Sequence, residues 1–585
     1  MTRISETIAA ATTEKPSISK PWLKYYSEEA LNLEIPKCTA LQYLKQVNAN
    51  RMDAPALQYY GTTITHREFY AKVDECANAF AALGVKQGDM VSMVTVAVPE
   101  TVFAIYALNK IGATANTIDP RMDINSIRRM VQEANSRLLF TIDIAFPKID
   151  KIMSDINQEY IIVQPAARSL PFVKRIAKTM MDKTRIAYSD KVIKWDAFIK
   201  KGTGTVAAEA PYVGDATVAV TYTGGTTGFP KGVMLTNDSM NAVALNFEHA
   251  SFYYEKGHRF LGIIPVFSSY GMVCGLHMPL ALGFELVLIP KFVPEQLGKL
   301  IVTFRANHMI STPAFYEMMM NSKEVKGKDL SFLYTIGSGG DTMNEGLEQK
   351  LDQFIKEHNM KYPLAQGYGM SELSAAASFC AGDIYRRHSV GIPSLTTTVG
   401  IFDPETGEEL PIGAEGEICV TGASVMKGYY NRPEETAHVM RKHDDGKVWI
   451  HSGDIGKMDE DGFLYVLGRV KRMITRFDGH KVFPVNIESL VGAHPMVHNC
   501  CVFGVNDMDH AQGQYPLVAV SLKECHKEAI CQELYDVCQM ELEERGRPVG
   551  VIHMDEIPLT GMSKNDYRAL EKEYANFNYK ALGQA

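Results

Sequence analysis

Residues Thr221–Gly232 read TYTGGTTGFPKG, with four glycines, four threonines and one lysine behind a proline. Glycine has no Cβ, so a loop of this kind can crowd several backbone N–H groups around a polyphosphate. Threonine hydroxyls add donors and can face a hydrated metal ion. That chemistry points to ATP. The Walker arrangement is absent, because it needs Gly-Lys-Ser/Thr opening a helix, whereas Lys231 follows Pro230 and precedes Gly232. The phosphates must be held in another way.

The elements around this loop alternate between strand and helix. The valine-rich run VSMVTVAV (91–98) predicts a buried strand, and ETVFAIYALNKIGA (100–113) a helix ending near Gly112. ATVAVTYT (216–223) predicts a strand running straight into the Gly/Thr loop. FELVLIP (284–290) is a further strand and VPEQLGKLIVTF (293–304) a helix. Alternation of this kind implies an α/β fold with a largely parallel sheet. GFLYVLGRVKRMITRFDGHKVFP (462–484) reads as two strands across a charged connector, and the remainder has an α+β pattern. The expected organisation is an N-terminal arm (1–35) anchored by Trp22, Tyr25 and Tyr26, a large domain (36–469) and a small C-terminal domain (470–585).

A chain of 585 residues is too long for one ordinary core. A net charge of −8 argues against binding nucleic acid by bulk attraction. Ten scattered cysteines without a Cys-x-x-Cys pair suggest reduced thiols, and the N-terminus lacks an apolar signal stretch, so a cytoplasmic location is expected. The run Phe260–Phe284 carries no Lys, Arg, Asp or Glu and has the length of a bilayer span. Its two prolines, four glycines, paired serines and histidine favour a buried strand–loop–helix instead. Residues 168–187 hold six Lys/Arg and one Asp at helix-like spacing. They read as a solvated surface helix in an insertion, with a weak membrane-surface contact as the second reading.

The Gly/Thr loop opens an ordered series: GSGGD (337–341), GYGMSE (367–372), GEICVTGASVMKGYYNRPEET (416–436), HSGD (451–454), GRVK (468–471) and PLTGMSK (558–564). In order and separation this series resembles the AMP-forming adenylate superfamily of acyl-CoA synthetases, peptide-synthetase adenylation domains and beetle luciferases. The early segment with Trp22, Tyr26 and AIYALNKIGATANTIDP (104–120) is most similar to the fatty-acyl-CoA ligases. The resemblance implies two steps: a carboxylate attacks the ATP α-phosphate and releases pyrophosphate, then a thiol displaces AMP from the acyl-adenylate. For such phosphoryl chemistry a protein mainly positions and neutralises charge.

It also implies roles for individual residues. Thr223, Gly224, Gly225, Thr226, Thr227, Gly228 and Lys231 would fold over the phosphates, with Thr227 and Glu372 on Mg²⁺, a hard ion that takes oxygen ligands. In the GYGMSE turn of Gly367, Tyr368, Gly369, Met370 and Ser371, the tyrosine would stack on adenine and Ser371 would reach phosphate. Gly337, Gly339, Gly340 and Asp341 would wall adenine from the acyl pocket. Asp454 would take the ribose hydroxyls through two oxygens, and Arg469 a ribose or phosphate oxygen. Lys564, with Thr223 and Glu372, would be catalytic, bridging carboxylate, ribose and α-phosphate. Lys471 would be the hinge. Phe267, Ser268, Tyr270 and Gly271 would meet the substrate carboxylate; Ser268 stands where the family often has histidine, and Ser563 where it usually has glycine.

The expected activity is therefore ATP- and Mg²⁺-dependent ligation of a carboxylic acid, a medium- or long-chain fatty acid, to CoA. Two alternatives stay open. One is an adenylating enzyme that loads a separate acyl carrier protein; the other is a non-catalytic adenylate-fold binding protein.

Overall fold

A computed structural model of the protein describes residues 14–181, 185–223, 229–341, 343, 345–510, 512–523, 527–559 and 565–584. Its first sheet has seven strands, ordered Val192–Lys194, Tyr160–Gln164, Leu138–Ile142, Met90–Val94, Thr114–Ile118, Thr217–Tyr222 and Gly232–Thr236. All neighbours are parallel except the last pair, a hairpin whose connection is the Gly/Thr loop. The inner strands Thr114–Ile118 and Leu138–Ile142 are buried at every position, as expected of parallel strands covered on both faces. The helix Pro99–Ile111 opens on a proline, which lacks the N–H a first turn cannot use, and ends at Gly112 with φ 79°.

The second sheet has nine strands, ordered Ile392–Pro393, Ser378–Phe379, Ala365–Tyr368, Thr335–Ser338, His308–Ser311, Arg259–Gly262, Glu285–Leu288, Pro55–Tyr59 and Thr62–Thr65. The charge-free run is part of its core. It supplies all but the first residue of the strand Arg259–Gly262 and a π-helical segment, Tyr270–His277, continuing as Met278–Ala281. Among the described residues no helix is long and apolar enough to cross a membrane.

A five-stranded antiparallel sheet follows, built from Thr397–Phe402, Gly416–Gly422, Met440–Lys442, Val448–Met458 and Leu464–Arg469. The described part of the N-terminal arm packs on this region. Trp22 is fully buried against Gly462, Ser17 donates to Glu409 at 2.7 Å, and Tyr26 Oη donates to the Pro393 carbonyl at 2.9 Å. Past Arg469 a 3₁₀ turn, Val470–Arg472, leads to a two-stranded ribbon and a three-stranded sheet with the helices Pro484–Gly492, Lys527–Glu541 and Tyr567–Tyr574. Their apolar clusters are separate from the main core. The architecture is thus a large α/β body with a small α+β C-terminal unit.

The basic stretch carries the surface helix Phe172–Met181; beyond it Val192–Lys194 forms the edge strand of the first sheet and Trp195–Lys201 covers it with Trp195 and Phe198 buried.

Candidate active site

Two of the Gly-rich turns leave the carboxyl ends of adjacent parallel strands. Gly337 pairs with Ala365 and Ser338 with Gln366, so GSGGD and GYGMSE emerge side by side, where open α/β sheets bind ligands. Gly369 has no room for a side chain, since a Cβ there would sit 1.7 Å from the Ala375 carbonyl oxygen. The tight turn aims Tyr368 across the cleft, where its Oη donates to Asp454 Oδ2 at 2.7 Å. Asp454 pairs in register with Arg469, and Arg469 Nε lies 2.5 Å from Asp454 Oδ1. Burial pushes the Asp454 carboxyl above the ordinary carboxylate range, and the Arg469 charge works against that rise. Expected residues from three distant motifs thus share one carboxylate.

The phosphate side is assembled by the hairpin. Thr223 N–H donates to the Lys231 carbonyl at 3.0 Å, closing the loop; Gly224, Gly225, Thr226, Thr227 and Gly228 lie outside the described residues. Lys231 Nζ stands 4.4 Å from the centre of the Tyr429 ring, and Tyr429 Oη donates to Glu372 Oε1. Backbone bonds from Tyr430 N–H to Gly232 (2.7 Å) and from Met426 N–H to Glu372 (2.9 Å) hold the three together. Tyr429 belongs to the GEICVTGASVMKGYYNRPEET motif, yet nothing in its type or spacing says that it links the lysine to the glutamate.

A second missed group supports Asp454 from behind. Glu417 Oε1 accepts from Gly453 N–H at 2.9 Å, and its Oε2 stands 2.8 Å from His451 Nδ1. His451 Nε2 meets His443 Nε2 at 2.9 Å, and Ser452 Oγ donates to the Ile418 carbonyl at 2.6 Å. Burial pushes the Glu417 carboxyl up, but His451 and Gly453 N–H hold it below the ordinary range. Glu417, Cys419 and His451 are close enough to share a metal ion. The glutamate oxygens, however, are engaged by His451 and Gly453, so the group acts as a brace for the turn that carries Asp454.

On the acyl side, Ser268 Oγ donates to the Pro265 carbonyl at 2.8 Å and accepts from Gly271 N–H at 3.1 Å, so it caps the start of the π-helical segment. Gly271 is required there, because a Cβ would meet Pro265 O at 2.0 Å. Phe267 lies against the Arg121 guanidinium, 5.2 Å from ring centre to Cζ. Ser268 and Tyr270 line the cleft, whereas Phe267 and Gly271 do not. A Cβ at Gly339 would come 3.4 Å from Tyr270 Oη, so the glycine wall and the tyrosine form the neck of a deeper space.

Beyond that neck the cleft, about 2300 Å³ in all, continues as an apolar channel. One wall is the helical series Tyr270, Cys274, Met278 and Leu282, spaced four residues apart; the other is the sheet face carrying Gly337, Ile310, Thr335 and His308. Phe284 stacks on His308 at 4.7 Å near the far end. His308 is bonded to His258 (2.9 Å) and Thr335 (3.0 Å), and burial lowers its pKa to about 3, so it is neutral there. The charge-free run signalled a buried segment here, but not the space beside it.

The C-terminal unit closes the cleft. Lys471 sits in the 3₁₀ turn and lines it, while the adjacent Arg472 is fixed to Glu488 at 2.5 Å. Asn565, Asp566 and Arg568 also line the cleft; Lys564 lies outside the described residues.

A family model described as "AMP-binding enzyme" matches residues 44–430, and one for the "AMP-binding enzyme C-terminal domain" matches residues 486–564. The chain belongs to the AMP-binding enzyme family. It is 30% identical over 573 residues to a long-chain-fatty-acid–CoA ligase of Bacillus subtilis, covering 96% of this chain and 99% of that protein. It is 28% identical over 477 residues to 4-coumarate–CoA ligase 1 of Arabidopsis thaliana, covering 79% of each. The crystal structure of the anthranilate CoA ligase AuaEII in complex with anthranoyl-AMP superposes with a TM-score of 0.78 at 21% identity, covering 95% of this chain and 100% of that one. This member is accordingly an AMP-forming acid–CoA ligase, with ATP, CoA and a carboxylic acid as its reactants.

Proposed function

We propose that the acid is a medium- or long-chain fatty acid. The observation that carries this is the channel behind Gly339. Four residues of strand between Gly339 and Thr335 span about 13 Å, and a C–C bond of about 1.5 Å in a zigzag advances about 1.25 Å per methylene. About ten carbons therefore fit before the chain reaches His308 and Phe284. A flat aromatic acid of the coumarate type, about 8 Å long beyond its carboxyl carbon, would leave the far end beside His308 and Phe284 empty.

In this reading Tyr368 offers its ring to adenine, and Asp454, pre-set by Arg469, takes the ribose hydroxyls. Lys231 and Thr223 neutralise and orient the phosphates with the Gly224–Gly228 backbone. Glu372 suits Mg²⁺ by its chemistry, a buried carboxylate offering the oxygen ligands a hard ion takes; Thr227 would complete the set. Bound there, the ion would neutralise charge on the phosphates. Tyr270 and the Gly339 wall hold the carboxylate in line with the α-phosphate. Lys564 then bridges the reacting oxygens during adenylation. Lys471 is the pivot on which the C-terminal unit turns before the thiol arrives, because one site cannot hold Lys564 at the α-phosphate and admit CoA to the same carbon.

The test is pyrophosphate release across a panel of acids, with CoA absent and then present. Acyl-adenylate formation without CoA and thioester formation with it support the reading. Adenylation that stays blind to CoA but proceeds to a phosphopantetheine carrier would favour the carrier-loading alternative.

A further inference from the structure

Four of the exposed large hydrophobic side chains fall on one ten-residue helix, Phe172–Met181, more than on any other element among the described residues. Phe172 is 67% exposed, Val173 77%, Ile176 43% and Met180 83%. At 100° per residue these four occupy an arc of about 100°, the width of the apolar stripe that a helix normally buries. Here the stripe faces outward. Lys174 and Lys178, both exposed, lie on the opposite, polar face, and the helix contains no acidic residue. The whole segment 168–187 carries six basic residues and one acidic in a chain of net charge −8, so its sign opposes that of the protein.

The helix is fixed to the body at its start. Lys174 Nζ donates to the Tyr60 carbonyl at 2.8 Å, Arg168 pairs with Asp196 at 2.8 Å, and Ser169 Oγ donates to Glu100 at 2.7 Å. A further exposed apolar side chain lies near the segment that leads into the helix. Ile144, 55% exposed, follows Asp143, whose carboxylate accepts from Ala166 N–H at 3.1 Å.

We infer that this face docks on an anionic phospholipid surface. The stripe enters the boundary between headgroups and acyl chains, and Lys178 reaches the headgroup phosphates along its apolar stem. The sign of the charge selects the lipid. A neutral bilayer offers only the apolar contribution, whereas an anionic one strengthens binding about fivefold per lysine near the surface. Such docking brings the ligase to where amphiphilic acids partition. The inference itself rests on the helix and not on the identity of the acid.

The test is co-sedimentation of the full chain with sucrose-loaded vesicles of phosphatidylcholine alone and of phosphatidylcholine with phosphatidylglycerol. The wild type should pellet with the mixed vesicles, weakly with the neutral ones, and less as salt rises. Phe172→Ser with Ile176→Ser should lower partitioning more than tenfold. Lys178→Gln should lower it about fivefold on anionic vesicles only. Both variants should keep wild-type turnover of a short water-soluble acid, which shows them folded. Equal binding to both vesicle types, or partitioning unchanged in the variants, would overturn the inference. So would self-association of the wild type, without vesicle binding, that Phe172→Ser abolishes, since the face would then belong to a second copy.

Discussion

Cys274 stands midway along the helical wall of the channel and is 1% exposed, so Cys274→Phe puts a ring into space that an acyl chain would fill. The residue lies four positions beyond Tyr270. A π-helical segment rises less than the about 1.5 Å per residue of an α-helix, so Cys274 lies within about 6 Å of the neck, with room for at most about five methylenes. A hexanoyl chain should still fit, whereas a dodecanoyl chain loses burial of about six methylenes. At about 0.8 kcal/mol each the loss is about 5 kcal/mol, or about 10³–10⁴ in kcat/KM. Overpacking could also cost about 1–3 kcal/mol of stability, so the readout is a ratio within one variant rather than a rate. The assay is thioester formation from hexanoate and dodecanoate under identical conditions. If Cys274→Phe keeps the wild-type ratio while remaining folded, the acyl chain does not run between Tyr270–Leu282 and the sheet, and the channel argument fails.

Asp454→Asn removes the charge that Arg469 and Tyr368 address; losing charge-assisted contacts of about 1.5–3 kcal/mol should raise KM for ATP at least tenfold, measured by ATP–pyrophosphate exchange, with little change in KM for the acid. Glu417→Gln weakens the brace behind Gly453 rather than touching ATP, so it should raise KM for ATP about three- to tenfold and leave kcat nearly unchanged; an equal fall in kcat would assign it another role. Glu100 is buried with a pKa raised to about 7, first by burial, against an opposing hydrogen bond from Ser169. The folded state therefore holds a proton that the unfolded chain releases near pH 4.5, and stability falls as pH rises from about 4.5 to 7. Glu100→Gln should raise Tm at pH 8 and leave it nearly unchanged at pH 5, seen by thermal denaturation at both.

The sequence made the strand-to-loop joins legible because their signals are local. ATVAVTYT ended in its glycine loop as expected, and Gly112 stopped its helix through a positive φ that any reader of local chemistry would assign. The charge-free run was legible as buried, but not as a channel wall. Which face of Tyr270–Leu282 looks into a space depends on the sheet packed opposite, and periodicity does not encode the partner. The same reason hid Tyr429 and Glu417. Each acts by joining residues brought together only when the antiparallel sheet folds over the hairpin, through contacts that span dozens of positions. Ser268 shows the converse. Its position suggested a substrate contact, while its hydroxyl is spent on Pro265 and Gly271 because the π-helical start needs a cap.

The central claim is that this AMP-forming ligase works on fatty acids. Its most direct test is competition between dodecanoate and 4-coumarate for thioester formation by the wild-type protein, with ATP, Mg²⁺ and CoA saturating and products separated by chromatography. The channel predicts dodecanoyl-CoA as the dominant product, with kcat/KM rising along the series from butanoate to about ten carbons by up to about fourfold per methylene. Equal or preferred formation of 4-coumaroyl-CoA, or a flat chain-length series, would contradict it.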